Sequence, residues 1–319
     1  MRRSTMARSL ATVGAMTFGI ILPNKGEGAG PELVDTACAE ATAAGWRSAW
    51  VTDHLMVPRG PEANEYGIML EALTTLAWAG GRYKDLVFGT SVISPAMRDA
   101  PMLAKELATI DVLLGGRLIV GVGVSDTDDL PEYSNMGKAD RFKRRGVYVD
   151  EAIRLWRHLW SGSTEPFDGE FHQLTDFCFG PLPVQGAGIP IWAGGRSARA
   201  LRRTAELADG YHAAQTGPSD LDERLPQLQE ALALTGRPWP FVSTRARVRF
   251  DKEPRAVYSM WGTDEAIADE VARFAAAGND ELILVFESHD PSFLTAEIAR
   301  FRDSVVPLAA EKAREAASA

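Results

Sequence analysis

Short continuous apolar runs alternate along the chain with longer segments whose apolar residues recur at helical spacing. Thr17–Pro23 (TFGIILP) reads as a strand, and Glu32–Ala44 as an Ala-rich helix ending at Gly45. Ser48–Asp53 is a second strand, Gly67–Ala79 has helical spacing, and Leu86–Ile93 (LVFGTSVI) is a third strand. Pro101–Leu114 reads as a helix closed by Gly115-Gly116, a C-cap signal, and Leu118–Gly123 (LIVGVG) as a fourth strand. Arg141–Trp160 predicts a long amphipathic helix with Val149, Ile153, Trp156 and Trp160 on one face, and residues 161–188 are irregular. The alternation resumes with strand Ile189–Ala193, helix Ser197–Ala208, strand Gly210–Ala214, helix Leu221–Leu234, strand Phe241–Phe250, helix Asp264–Ala277, strand Glu281–Glu287 and helix Phe293–Val305. Buried parallel strands read as unbroken apolar runs rather than alternating ones. Eight such strands, each followed by a helix, predict an α/β fold of the (β/α)8 TIM-barrel type, with a doubly wound sheet as the competitor.

Nothing compositional marks a domain boundary, so residues 16–307 read as one domain with an insertion at about 124–188, after the fourth strand. Residues 308–319 read as a helical or frayed tail, and residues 1–15 as a disordered leader, with Met16 a candidate natural start. Arg2-Arg3 before an apolar run has the look of a twin-arginine signal. The run from Met16 to Pro23, however, already serves as the first strand, and no small-residue cleavage site follows it. The net charge of -9 and pI of about 5.2 argue against general nucleic-acid binding. No apolar run approaches the ~20 residues of a membrane helix. Two cysteines in unrelated contexts, Cys38 and Cys178, fit a reducing cytoplasm better than a disulfide framework.

In a barrel the loops after the strands form the active mouth. The strand ends supply Pro23 and Asn24, Asp53 and His54, Ser91, Val92 and Ser94, Gly121 and Gly123, Gly194 to Ser197, Gln215 and Thr216, and Glu287 and His289. His54 is the best titratable candidate, because a neutral imidazole takes a proton near pH 7 and the adjacent Asp53 carboxylate can hold its charge and tautomer. The alternative is that Asp53 caps a turn and His54 is a satisfied loop residue. Gly194-Gly195-Arg196-Ser197, between a strand and a helix, could cradle a phosphate on the first helical amides, or could be a tight junction needing glycine only for geometry. Gly121-Val122-Gly123 lacks the third glycine of a dinucleotide fingerprint. The five histidines show no metal-ligand pairing, so no metal is expected. Trp156 and Trp160 read as core anchors.

Together GWRSAWVTDHL (45–55), VFGTSVISPAMRDAPMLAKELATID (87–111), GGRLIVGVG (115–123), RFKRRGVYVDEAIRLWRHLW (141–160), FDGEFH (167–172) and PIWAGGRSARALRRTAELADGY (190–211) resemble the luciferase-like monooxygenase superfamily, in particular its deazaflavin-dependent branch. The resemblance implies a TIM barrel, a homodimer, and FMN or the deazaflavin coenzyme F420 at the barrel mouth. By position it implies Asp53 at the cofactor, His54 as catalytic acid/base, and Ser91-Val92 as a non-prolyl cis peptide behind the cofactor ring. It also implies Ser94, Val122, Gly123, Gly194, Gly195, Ser197 and Ala198 against the cofactor tail and phosphate.

Two departures qualify the resemblance. Sugar-phosphate dehydrogenases of the family carry a glutamate after the fourth-strand glycine pair, where this chain has Val124, with Asp126, Asp128 and Asp129 nearby. Leu114 stands where many members have serine. The expected function is hydride transfer between coenzyme F420 and a small organic substrate. An FMN-dependent monooxygenase fed by a separate reductase and a non-catalytic flavin binder are the alternatives. Substrate choice rests with the loops 55–66, 124–140 and 161–188.

Overall fold

The computed structural model describes residues 10–61 and 63–318. A two-residue strand β1 (Thr12–Val13) turns back onto β2 (Met16–Ile21), and α1 (Pro31–Ala43) leads to β3 (Ser48–Val51). The short α2 (Ala63–Tyr66) and α3 (Ala72–Arg82) precede β4 (Val87–Thr90), and α4 (Ala100–Leu114) precedes β5 (Leu118–Val122). The longest excursion then carries α5 (Leu130–Asn135), α6 (Arg145–Trp160) and a small hairpin of β6 (Phe167–Asp168) and β7 (Gln173–Leu174) before β8 (Ile191–Gly194). Next come α7 (Ala198–Leu207), β9 (Gly210–Ala214), α8 (Pro218–Thr235), β10 (Phe241–Phe250), β11 (Ser259–Gly262), α9 (Asp264–Ala276) and β12 (Glu281–Phe286). α10 (Pro291–Arg300) runs through a π-helical turn, Phe301–Val305, into α11 (Val306–Ser318).

Eight of these strands pair in parallel in the order β2-β3-β4-β5-β8-β9-β10-β12, and β12 returns to β2. This closed ring is the TIM barrel expected from the alternation, with its long excursion after the fourth barrel strand. Local chemistry moved some boundaries. The helix expected from Gly67 begins only at Ala72, where the Glu71 side chain accepts the Thr74 amide at 2.7 Å. Residues 67–68 instead bend away from α2, and Met69 forms an antiparallel bridge with Lys25. β1 and the two-residue strands of the β6–β7 hairpin are too short to show a period. Residues 1–9 of the expected leader lie outside the described residues. Residues 12–13 are part of the fold, since they pair with β2 and Val13 is fully buried. The expected tail is α11, whose Ala309 is buried and whose Lys312 pairs with Asp269.

Two apolar layers hold the barrel. The outer one packs strands against helices; within it Trp156 and Trp160 of α6 donate to the Ala100 and Ala104 carbonyls of α4 at 2.9 and 3.0 Å. The inner one fills the barrel with Ile21, Trp50, Ile119, Trp192, Ile283 and Val285. Trp50 and Trp192 lie 4.9 Å apart, and Phe241 stacks on Trp192 at 4.9 Å. Glycines opposite make the space. A Cβ on Gly89 would fall 2.3 Å from the Trp50 ring, and one on Gly210 would fall 2.3 Å from Trp192. Gly89→Ala is therefore expected to lower stability by about 1–3 kcal/mol through overpacking. Urea denaturation checks this; an unchanged midpoint would mean that Trp50 can move aside.

Candidate active site

The carboxyl ends of β3, β4, β5, β8 and β9 open into a cleft of about 540 Å³. Asn24, fully buried after β2, fixes one edge. Its side chain donates to the Thr52 carbonyl at 2.9 Å and accepts the Thr52 amide at 3.2 Å. That clamp sets the exit of β3, so Asp53 and His54 leave the strand in a defined direction.

The two neighbours then diverge. Asp53 is buried, and its carboxylate meets Arg98 Nη2 at 2.7 Å and the Ser94 amide at 3.4 Å. Burial pushes its carboxyl up, and Arg98 opposes that rise. His54 lines the cleft, with its Nδ1 2.8 Å from Glu132 of α5. Among the described residues its Nε2 has no protein partner. Glu132 also accepts the Leu55 and Met56 amides, and the Tyr66 ring covers His54 at 4.2 Å between centroids. Burial opposes a charged imidazole at His54. The hydrogen bond and charge of Glu132, joined by Asp129 and Asp53, outweigh it and raise the pKa. Burial likewise opposes ionisation of Glu132, but His54 and the two amides hold its carboxyl below the usual value.

Val92 forms the floor. The Ser91–Val92 peptide is cis, as the resemblance implied. A Cβ on Gly123 would fall 2.3 Å from Val92 Cγ2, and one on Gly194 would fall 3.0 Å from Cγ1. These two glycines thus seat Val92 as well as opening the cleft. Gly195 needs its φ of +125° and closely approaches Ala200 at the start of α7. Ser197 caps α7 by accepting the Ala200 amide at 3.3 Å. Ser94 lines the cleft and hydrogen bonds Ser125 at 2.9 Å. Ser125 and Gln215, two lining residues, hold left-handed backbone at φ 66° and 55°, a conformation that clusters at functional sites.

Of the expected residues, Asp53, His54, Ser91, Val92, Ser94, Gly123, Gly194, Gly195 and Ser197 line this cleft. Val122 and Ala198 do not. Val122 is buried beneath it, bridging Ile93, and Ala198 is exposed at the first turn of α7, where Ala200 lines the cleft instead. The sequence reading missed Glu132, Tyr66, Arg98, Arg145 and Arg245. Arg245 carried a faint signal, the Arg-Ala-Arg-Val-Arg alternation of β10, which sends three guanidinium groups to one face. Val124 lines the cleft, so that position stays apolar and the carboxylate near His54 comes from Glu132.

Beside the cleft lies a second cavity of about 330 Å³, containing Lys25, Glu65, Arg247, Arg255, Glu287 and His289. Its cations are matched: Glu65 pairs with Lys25 and Arg247, and Glu287 pairs with Arg247 and Arg255. Burial, with Arg245 and Arg247 adding, lowers the Lys25 pKa to about 8.

At its mouth this barrel gathers an oriented histidine and a cleft lined in part by glycines. Residues 16–259 match the luciferase-like monooxygenase family, to which the chain belongs. It is 29% identical over 288 residues to the F420-dependent glucose-6-phosphate dehydrogenase of Mycobacterium avium (strain 104), spanning 89% of this chain and 76% of that one. It is 30% identical over 248 residues to the enzyme of the same name from Nocardia farcinica (strain IFM 10152), spanning 77% and 69%. An F420-dependent secondary alcohol dehydrogenase in complex with an F420-acetone adduct superposes with a TM-score of 0.77 at 18% identity, covering 92% of this chain and 99% of that one. Among the described residues no helix is long and apolar enough to cross a membrane.

The His54–Glu132 pair has a defined pH window. Because the folded His54 pKa is raised, its contribution is fully present below about pH 6.5 and is lost as pH rises through the raised value. Because the folded Glu132 pKa is lowered, its contribution is present above about pH 4.3 and is lost as pH falls through the lowered value. The melting temperature of Glu132→Gln should therefore fall furthest below that of the wild type between about pH 4.3 and 6.5. A gap that is flat across pH 4–9 would contradict the pairing.

Proposed function

We propose that the protein is a hydride-transfer oxidoreductase that uses the deazaflavin coenzyme F420, with His54 giving or taking the proton at Nε2. One observation carries the reading: an imidazole at the barrel mouth, oriented through Nδ1 by buried Glu132 and leaving Nε2 for the cleft. The F420-dependent relatives support the choice of coenzyme.

The residues present suit such a group. Val92, Gly123 and Gly194 offer a flat floor, and Gly195, Ser197 and the first amides of α7 offer donors to an anionic tail. Arg145 also lines this region, and its buried Nε has no hydrogen-bond partner among the described residues. Bound here, a deazaflavin supplies a ring carbon that accepts or gives up hydride. Glu132 stabilises the imidazolium and fixes the tautomer of His54. Asp53, committed to Arg98 and the Ser94 amide, holds the strand end in place and acts as a positioning residue. Val124 keeps one wall apolar, which favours a substrate other than a sugar phosphate.

A homodimer belongs to the same reading, supported by the exposed side chains of Trp78 on α3 and Met102, Val112 and Leu113 on α4. So does a cytoplasmic location, with Cys38 and Cys178 unpaired.

Titration of the purified protein with F420 and with FMN tests the coenzyme, and an alcohol panel tests turnover. Binding of F420 in preference to FMN is expected. His54→Ala should retain F420 binding while kcat falls by about 10²–10⁴-fold. Selective FMN binding with substrate-dependent oxygen uptake would establish the monooxygenase alternative, and unimpaired turnover by His54→Ala would remove His54 from the mechanism.

A further inference from the structure

Three arginines are buried among the described residues: Arg203, Arg245 and Arg247. Arg203 is neutralised by Asp150, and Arg247 by Glu65 and Glu287 at 2.9 and 3.0 Å. Arg245 forms no ion pair with any described carboxylate. Its side chain leaves β10, crosses to the end of β4 and donates from Nη1 to the Ser91 carbonyl at 2.7 Å, with the Tyr66 hydroxyl adjoining it. It is 7% exposed and contributes to the wall of the cleft.

The surroundings do not cancel this charge. Arg247 and Lys25 add charge of the same sign. His212, below, is driven to a pKa of about 3 by burial and by Arg245, and stays neutral. Glu65 attracts Arg245 from beyond ion-pair distance and is committed to Lys25 and Arg247. A guanidinium cannot shed its proton to escape burial. A buried charge without a partner is costly, and an anion entering the cleft offsets that cost.

Resting on the coenzyme reading above, we propose that Arg245 is the counter-ion of the ionised deazaflavin ring and selects F420 over FMN. The 8-hydroxyl of F420 is acidic and conjugated with the pyrimidine C2 carbonyl, so losing its proton spreads negative charge across the ring. The oxidised flavin of FMN has a methyl group in that place and no such charge. The coenzyme tail is a separate anion, for which Arg145 and the α7 amides stand at another part of the cleft.

The test is a pH titration of the ring's visible absorbance, free and bound, with wild type, Arg245→Met and Arg245→Lys. The wild-type complex should ionise at least one pH unit below free F420. In Arg245→Met that shift should vanish and F420 affinity above the free ring's pKa should fall tenfold or more, while FMN affinity changes less than threefold. Arg245→Lys should keep most of the shift. A wild-type complex that ionises where the free coenzyme does overturns the proposal, even if Arg245→Met does not fold. A large fall in the melting temperature of coenzyme-free Arg245→Met, with ring ionisation unmoved, would assign Arg245 to the fold and also overturn it. Failure of the wild type to bind F420 overturns the coenzyme reading and this inference together; binding with an unshifted ring overturns this inference alone.

Discussion

An eight-stranded parallel barrel encloses a space that side chains must fill, and here that filling governs what lies above it. Trp50 and Trp192 occupy the interior because Gly89 and Gly210 leave room for their rings. Above them the filling turns polar: His212 bridges Ser91 and Ser243 at 2.8 Å each, and Arg245 reaches the Ser91 carbonyl. The cleft floor therefore rests on a packed, hydrogen-bonded stack. These hydrogen bonds tie the end of β4 across the barrel to β9 and β10.

On that floor two adjacent residues do different work because different partners reach them. Asp53 turns into the protein, toward Arg98, while His54 turns along the mouth, toward Glu132. An acid and an imidazole side by side in sequence suggest a dyad; here each belongs to a separate pair. The arrangement is an imidazole oriented through Nδ1, with the Glu132 countercharge at that nitrogen.

The barrel was legible because most of its strands hold short apolar runs, such as LIVGV in β5 and LILVF in β12, and because each is followed by a periodic helix. His54 was legible from its position at a strand end. Glu132 was not, since it joins His54 across 78 residues of sequence and sits in a short helix within the least periodic part of the chain. The glycines were half legible. Their positions at strand ends marked the mouth, but Gly123 and Gly194 are also required by Val92, a neighbour that only the folded chain supplies. Arg245 was hidden for a similar reason: alternation shows which face it takes, not that its companions on β10 find carboxylates and it does not.

The central claim is that His54, held through Nδ1, presents Nε2 to coenzyme F420. Imidazole ¹⁵N resonances of histidine-labelled protein, with His54 assigned through His54→Gln, test this most directly. On saturation with F420 the His54 Nε2 signal should move while its Nδ1 signal keeps the signature of the Glu132 hydrogen bond. F420 binding that leaves both His54 signals unchanged would contradict the account.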